Sequence, residues 1–285
     1  MSKNKIRRPG TGKISMLIKY VICIMLAFLS IAPFYIMIVN STRDTYSIQQ
    51  SAIALLPSNA LLKNYAVFGI KSFSPFTGFK NSMIISVSST ALTVYFSTLT
   101  AYALVAYNWK LRDAFFGFIL GIMMIPTQVF SIGFYQFMYR IGMTNNLLAL
   151  ILPGIAAPGT VFFMRQYMLP ALSMDIVASA RIDGASEFYT FNKIVLPIMK
   201  PAMATQAIFC FVTSWNRLFE PMILLTRKEN YTMPIMVSLL KGDIYKTEYG
   251  TVYLALTMSV LPLLIVYFAL SKYIIAGVAL GSVKE

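Results

Sequence analysis

Ala180-Arg181-Ile182-Asp183-Gly184-Ala185-Ser186-Glu187-Phe188-Tyr189-Thr190-Phe191-Asn192-Lys193-Ile194-Val195-Leu196-Pro197 is a polar, helix-forming stretch set between long apolar runs. Upstream, Ile141–Met164 carries no charge; downstream, Pro201–Leu225 is interrupted only by Arg217 and Glu220. Further out, the charge-free runs are Tyr20–Thr42, Asn81–Trp109, Ala114–Tyr139 and Tyr249–Ser271. Each run exceeds the roughly 20 residues that carry a helix across a bilayer. Their hydrophobicity is continuous, which excludes the alternating pattern of membrane barrel strands. The expectation is an all-α membrane protein with six transmembrane helices. The spans begin near Ser15, Ser82, Ala114, Leu147, Pro201 and Tyr249, and a two-helix loop separates spans four and five.

The composition agrees. Of 285 residues, 58% are hydrophobic and 12% charged, about half the charged share of a soluble domain. The net charge of +14 does not point to nucleic acid, because the basic residues form no soluble face. Lys3, Lys5, Arg7, Arg8 and Lys13 precede the first span, which keeps that end in the cytoplasm. Six crossings return the C-terminus to the same side. The expected organisation is a basic tail at 1–14, a membrane domain at 15–277 with its inner loop at 165–200, and a tail at 278–285. Histidine is absent, so a histidine metal site or a Ser-His-Asp triad is excluded. Cys23 and Cys210 both lie within spans and are read as small buried hydrophobes. Gly12-Lys13 falls short of a phosphate-binding loop, since Arg7 and Ile14 stand where glycine and Ser or Thr are needed. No nucleotide site is encoded.

The inner loop has its own grammar. Asp175–Arg181 has helical spacing, and Gly184 can take the left-handed conformation that ends a helix. Ser186 is a candidate N-cap for a second short helix. Phe188, Phe191 and Val195 would form one apolar face there, with Pro197 stopping the helix and Pro201 starting the next span. Two short helices joined at a glycine make a knob suited to a groove on a partner.

These residues resemble the coupling loop of ABC importer permeases, in which Glu-Ala-Ala precedes a glycine and Leu-Pro follows. Ser214-Trp215-Asn216 with Pro221, the ending Lys272–Lys284, Ala101-Tyr102-Ala103-Leu104 and Met124-Ile125-Pro126 match in order. The resemblance is to the sugar-importer group related to the maltose permease subunits, specifically the smaller six-span subunit, and covers nearly the whole chain. One departure stands out: Ala178-Ser179-Ala180 replaces Glu-Ala-Ala, so the acidic residue is missing. The resemblance implies ATPase contact through Ala178, Ser179, Ala180, Asp183, Gly184, Ala185, Phe188, Phe191, Leu196 and Pro197.

It also implies partners and a place: a second homologous permease, two cytosolic ATPase subunits that bind ATP and Mg, and an extracytoplasmic sugar-binding protein. The setting is a bacterial cytoplasmic membrane, and this chain is no enzyme. Sugar sites combine aromatic faces with amides and carboxylates. Gln128, Phe130, Tyr135, Trp215, Asn216, Arg217 and Glu220 are therefore candidates for the substrate path. Arg217 and Glu220, three apart on a helix, are expected to pair. In the maltose-type family the loop between spans five and six reaches into the binding protein. Here Lys228, Tyr231, Lys241, Asp243 and Tyr245 are the candidates for that contact. Two alternatives stay open: the same machine carrying a non-sugar solute such as a polyol phosphate, or an ion-coupled secondary transporter. The latter normally needs several embedded acids, and only Glu220 qualifies.

Overall fold

In the computed structural model, residues 13–70, 73–241 and 247–281 are described, and among them every regular element is helical. Five helical segments are long and apolar enough to cross a membrane: Ser15–Ser41, Pro75–Ala106, Leu148–Ala171, Glu187–Trp215 and Tyr249–Ala269. The expected tail at 1–14 lies almost wholly outside the described residues, as do the last four of the C-terminal tail.

The chain forms two units, residues 1–72 with 240–258 and residues 73–239 with 259–285. In the first, α1 (Lys13–Ser41) is followed by α2 (Thr45–Gln50), α3 (Leu61–Ile70) and the opening turns of α14 (Tyr249–Gly281). Most of α1 is apolar and exposed on all sides, and only Val39, Asn40 and Ser41 near its end are buried. A helix greasy all round requires an apolar surrounding. Cys23 is exposed on it, which corrects the expectation of burial: the unit meets α1 only near its C-terminal end, from Tyr35, which donates to Leu55 O, onward to Ser41. Beyond that turn, polar side chains knit the chain. Arg43 donates to Asn40 Oδ1 and to the carbonyls of Ser47 and Ser51 at 2.8–2.9 Å. Asn64 donates to the carbonyls of Ser41 and Arg43 at 2.8 and 2.9 Å. Gly250 packs so tightly here that a Cβ would collide with the Arg43 carbonyl and the Asn64 amide.

In the second unit, α4 (Pro75–Ala106) is the spine. Around it run α5 (Arg112–Met123), α6 (Thr127–Arg140), α7 (Leu148–Ile151), α8 (Pro158–Ala171), α9 (Met174–Ile182), α10 (Glu187–Thr190), α11 (Leu196–Trp215) and α12 (Phe219–Leu224). Most of α13 (Met233–Lys241) and the rest of α14 complete it. Buried Ser and Thr of α4 let its neighbours come close, as small residues do between membrane helices. At Gly154 the approach is so tight that a Cβ would sit 2.9–3.0 Å from Ser89 and Thr93. Thr93 Oγ1 donates to the Gly154 carbonyl at 2.9 Å. A core of Val94, Ala101, Tyr102, Met164, Met168, Val177, Phe191, Val195 and Met199 joins α4 and α8 to the polar loop and α11.

Three expectations are revised. The third apolar run, read as one span over Ala114–Tyr135, is broken into α5 and α6 of 12 and 14 residues. Pro126 stands at the N-cap of α6 with ψ 129°, because it lacks an N–H and excludes the helical conformation at the residue before it. At 1.5 Å per residue the two helices rise about 18 and 21 Å, each short of a 30 Å hydrocarbon core. The second revision concerns Pro197. The helix does not stop there but runs from Glu187 to Trp215 through a π-turn at Phe191–Val195, where Leu196 N–H donates to Phe191 O. That wider turn seats Pro197 in the first turn of α11, where its missing donor is tolerated. Pro201 then lies inside α11 instead of opening it. The third concerns α11, which ends at Trp215. Arg217 falls in the break before α12, and among the described residues no ion pair joins it to Glu220.

Candidate functional site

The polar loop is built by four local signals. Ser173 caps α9, its Oγ accepting from Asp175 N–H at 3.3 Å. Gly184 ends that helix with φ +78°; its N–H donates to Arg181 O, and Ala185 N–H donates back to Ala180 O at 2.9 Å. This paired closure needs a left-handed residue at its centre, which glycine adopts without penalty. Ser186 caps α10 through Tyr189 N–H at 3.3 Å. The π-turn then delivers the chain into α11.

What the loop presents differs on its two sides. Val177, Ala180, Phe191 and Val195 are buried in the core, whereas Ile182 and Phe188 are 85% and 70% exposed. Phe188, Phe191 and Val195 thus do not share one face. Phe188 stands exposed in the opening turn of α10, while Phe191 and Val195 at the two ends of the π-turn are both buried. Phe191 is 1% exposed, its ring against Tyr95 and Tyr102 at 5.7 and 5.6 Å. Ala178, Ser179, Asp183, Gly184 and Pro197 are exposed, and Ala185 and Leu196 half-buried.

Two polar clusters mark the ends of α4. At its C-terminal end Glu187 is the hub. Arg181 Nε and Nη2 donate to its carboxylate at 2.6 and 3.3 Å, and the hydroxyls of Tyr107 and Tyr102 donate to Oε2, Tyr102 at 3.3 Å. The Arg181 guanidinium also lies 5.3 Å from the Tyr107 ring centre. Burial, then the hydrogen bond to Glu187, pushes the Tyr107 hydroxyl above its usual pKa, and the bond to Glu187 raises Arg181 as well. At the N-terminal end Asn81 donates to the carbonyls of Glu229 and Tyr231 at 2.8 and 3.0 Å. Ser82 Oγ accepts from Met233 N–H at 2.9 Å. Nearby, Asn145 takes a left-handed φ of +59°, and its Oδ1 accepts the N–H groups of Thr226 and Arg227 at 3.2 and 3.0 Å. Asn230 Nδ2 donates to the Asn145 carbonyl at 2.7 Å. An open cavity of about 680 Å³ lies here, lined by Thr144, Asn146, Arg227 and Asn230 among others.

The residues proposed for a substrate path do not form one cluster. Gln128 is on the first turn of α6. Phe130 and Tyr135 are exposed and stack on aromatics of their own helix, Phe134 and Tyr139, at 6.2 and 6.3 Å. Trp215 is 1% exposed; it stacks on Phe211 at 5.8 Å and spends its indole N–H on Ser259 O. Asn216 is exposed, and Arg217 and Glu220 are half-buried. Lys228 and Lys241 are exposed, Tyr231 is half-buried and donates to Thr226 O at 3.3 Å, and Asp243 and Tyr245 lie outside the described residues.

Residues 93–279 match the family described as the inner membrane component of binding-protein-dependent transport systems. The chain belongs to that family. It is 34% identical over 261 residues to an arabinooligosaccharides transport system permease of Halalkalibacterium halodurans, covering 91% of this chain and 93% of that one. It is 32% identical to a lactose transport system permease of Rhizobium radiobacter, covering 94% and 96%. A solved bacterial ABC transporter involved in import of the acidic polysaccharide alginate shares the fold, with TM-score 0.79, 23% identity and coverage of 94% and 99%. The chain is therefore an ABC importer permease, an integral inner-membrane protein.

Proposed function

We propose that this permease forms half of the translocation path of a sugar or oligosaccharide importer and takes its energy from a separate ATPase. The observation that carries the reading is similarity along more than nine-tenths of both chains to permeases named for arabinooligosaccharides and for lactose. In this reading α5 and α6 cross the membrane in series as the third of six spans. With the N-terminus taken as cytoplasmic on its basic residues, this reading has the Gly184 knob on the cytoplasmic side and the Asn145 cluster on the far side. Two ATPase subunits hold ATP and Mg, a sister permease lines the other half of the path, and a binding protein delivers the saccharide. Exposed Ile182 and Phe188 fit a helix-in-groove contact with the ATPase, and closure of the ATPases would swing the knob. This chain binds and moves; it catalyses nothing.

The test is reconstitution in proteoliposomes with the sister permease, ATPase and binding protein, using arabinotriose and lactose as probes. Uptake is expected to require ATP and to survive a proton ionophore, and the purified chain alone to hydrolyse no ATP. Uptake driven by an ion gradient without ATP, or hydrolysis by the isolated chain, would overturn the assignment.

A further inference from the structure

We propose that Glu187 is a positioning residue that latches the knob to the end of α4, so that displacement of the knob reaches the membrane helices. The inference rests on the importer reading above. Its basis is the convergence of four donors, from α9 and from the end of α4, on one carboxylate. Arg181 donates to both carboxylate oxygens, and the hydroxyls of Tyr102 and Tyr107 donate to Oε2. Every bond recorded for the Glu187 carboxylate is to a group of this chain, so the work visible here is internal.

The donors come from three places. Arg181 is in the last turn of α9, on the other side of the Gly184 corner from Glu187. Tyr102 is rooted in the last turns of α4 and is 2% exposed, and Tyr107 directly follows that helix. The Gly184 corner has nothing within 4 Å of where a Cβ would stand, so no side chain packs against the corner residue itself. The forked Arg181–Glu187 pair clamps the two limbs across that corner, and the tyrosines fasten the clamp to α4. Remove the carboxylate and the corner becomes a hinge that absorbs motion. The ion pair is exposed on both sides, and such pairs contribute little to folding. Its loss should leave the permease assembled.

The experiment compares Glu187→Gln, and the charge-swapped pair Arg181→Glu with Glu187→Arg, against wild type in the full reconstituted transporter. The readouts are ATPase co-purified, ATP hydrolysed and saccharide imported per ATP, again with arabinotriose and lactose. Glu187→Gln is expected to retain its ATPase and hydrolyse ATP within about twofold of wild type while saccharide per ATP falls about fivefold or more, the lower range of coupling between linked sites. The charge swap restores an ion pair across the corner and recovers much of the ratio. An unchanged ratio in Glu187→Gln would overturn the latch alone. ATPase loss in step with uptake would reduce Glu187 to an assembly role and also overturn it. A wild type showing no ATP-driven uptake would remove the importer reading, and this inference with it.

Discussion

A side-chain oxygen that collects several donors lies at or near each end of α4, yet the two centres have different surroundings. At the C-terminal end a charged carboxylate gathers a guanidinium and two phenols, and beyond it a knob exposes Ile182 and Phe188. Near the other end, where Asn81 and Ser82 hold α4, the neutral amide oxygen of Asn145 gathers backbone N–H groups beside an open polar cavity. A knob that must be pushed needs a stiff corner with a greasy outer surface. A surface that receives a polar solute or a hydrophilic partner needs fixed loops and open hydrogen-bonding groups. The contrast also separates the effects of mutation: damage at the knob should spoil coupling, damage at Asn145 should spoil stability.

The largest expected effect is at Gly184. With φ +78° and open space around it, the only obstacle to a side chain is the backbone conformation itself. A β-branched residue there costs roughly 1–2 kcal/mol or more in local strain. Relief of that strain would reorient α10 and carry Phe188 away from its groove. Gly184→Val is expected to remain in the membrane and paired with its sister permease while losing saccharide uptake. Gly184→Ala should be milder, and Gly184→Asn milder still, since asparagine tolerates the left-handed region. Uptake and ATPase co-purification, normalised to membrane abundance, decide it. Normal transport by Gly184→Val would place force entry elsewhere.

At the opposite end the expected loss is of stability. Asn145→Ala strands the N–H groups of Thr226 and Arg227 and forces a Cβ residue without a polar side chain to hold φ +59°. Both bonds are exposed, so water can take the place of the acceptor, and the loss together with the backbone strain is about 1–2 kcal/mol. Every side-chain bond recorded for Asn145 is accepted by Oδ1, so Asn145→Asp keeps each acceptor and should lose little. Thermal unfolding of the detergent-purified permease should show a lowered midpoint for Ala and a near wild-type one for Asp. Equal losses would mean that the amide nitrogen matters, or that the loop is held by other bonds.

How much of this was legible depends on whether the signal is local. The α1 span, the left-handed turn at Gly184 and the cap at Ser186 follow from the order of neighbouring residues, because caps and closures involve groups a few positions apart. The proline breaks were half legible. A proline inside an apolar run, as at Pro126, signals a bend or a break, but which of the two it produces depends on its surroundings. At Pro197 a π-turn absorbed the disturbance, and no side-chain pattern specifies one in advance. The hubs were not legible. Glu187 directly after a serine cap reads as an acid favoured by the helix dipole, which fully accounts for it without Tyr102 and Tyr107, 85 and 80 positions away. Asn145 reads as a turn residue, and its partners are 81 and 82 positions away. Trp215 stood out as an aromatic next to Asn216, but its neighbours make it core.

The smallest expected effect concerns the acid missing from the knob. Ala178 is exposed on α9, three residues before Arg181, so a glutamate there has two possible partners. One is a basic groove residue on the ATPase. The other is Arg181, at a spacing worth about 0.2–0.5 kcal/mol on a helix surface. Arg181 is already held bidentately by Glu187 and stacked near Tyr107, so it should stay where it is and leave the new carboxylate to the ATPase. Ala178→Glu is expected to tighten ATPase retention by about 0.3–1 kcal/mol at low salt, the usual value of an exposed ion pair. The gain should fade as ionic strength shortens the screening length. Saccharide imported per ATP should not change, because nothing in the latch has moved. A fall in that ratio, with no gain in retention, would show that the introduced carboxylate had drawn Arg181 off Glu187. It would then be two carboxylates competing for one guanidinium, and not contact with the ATPase, that sets which side chain this position of α9 can carry.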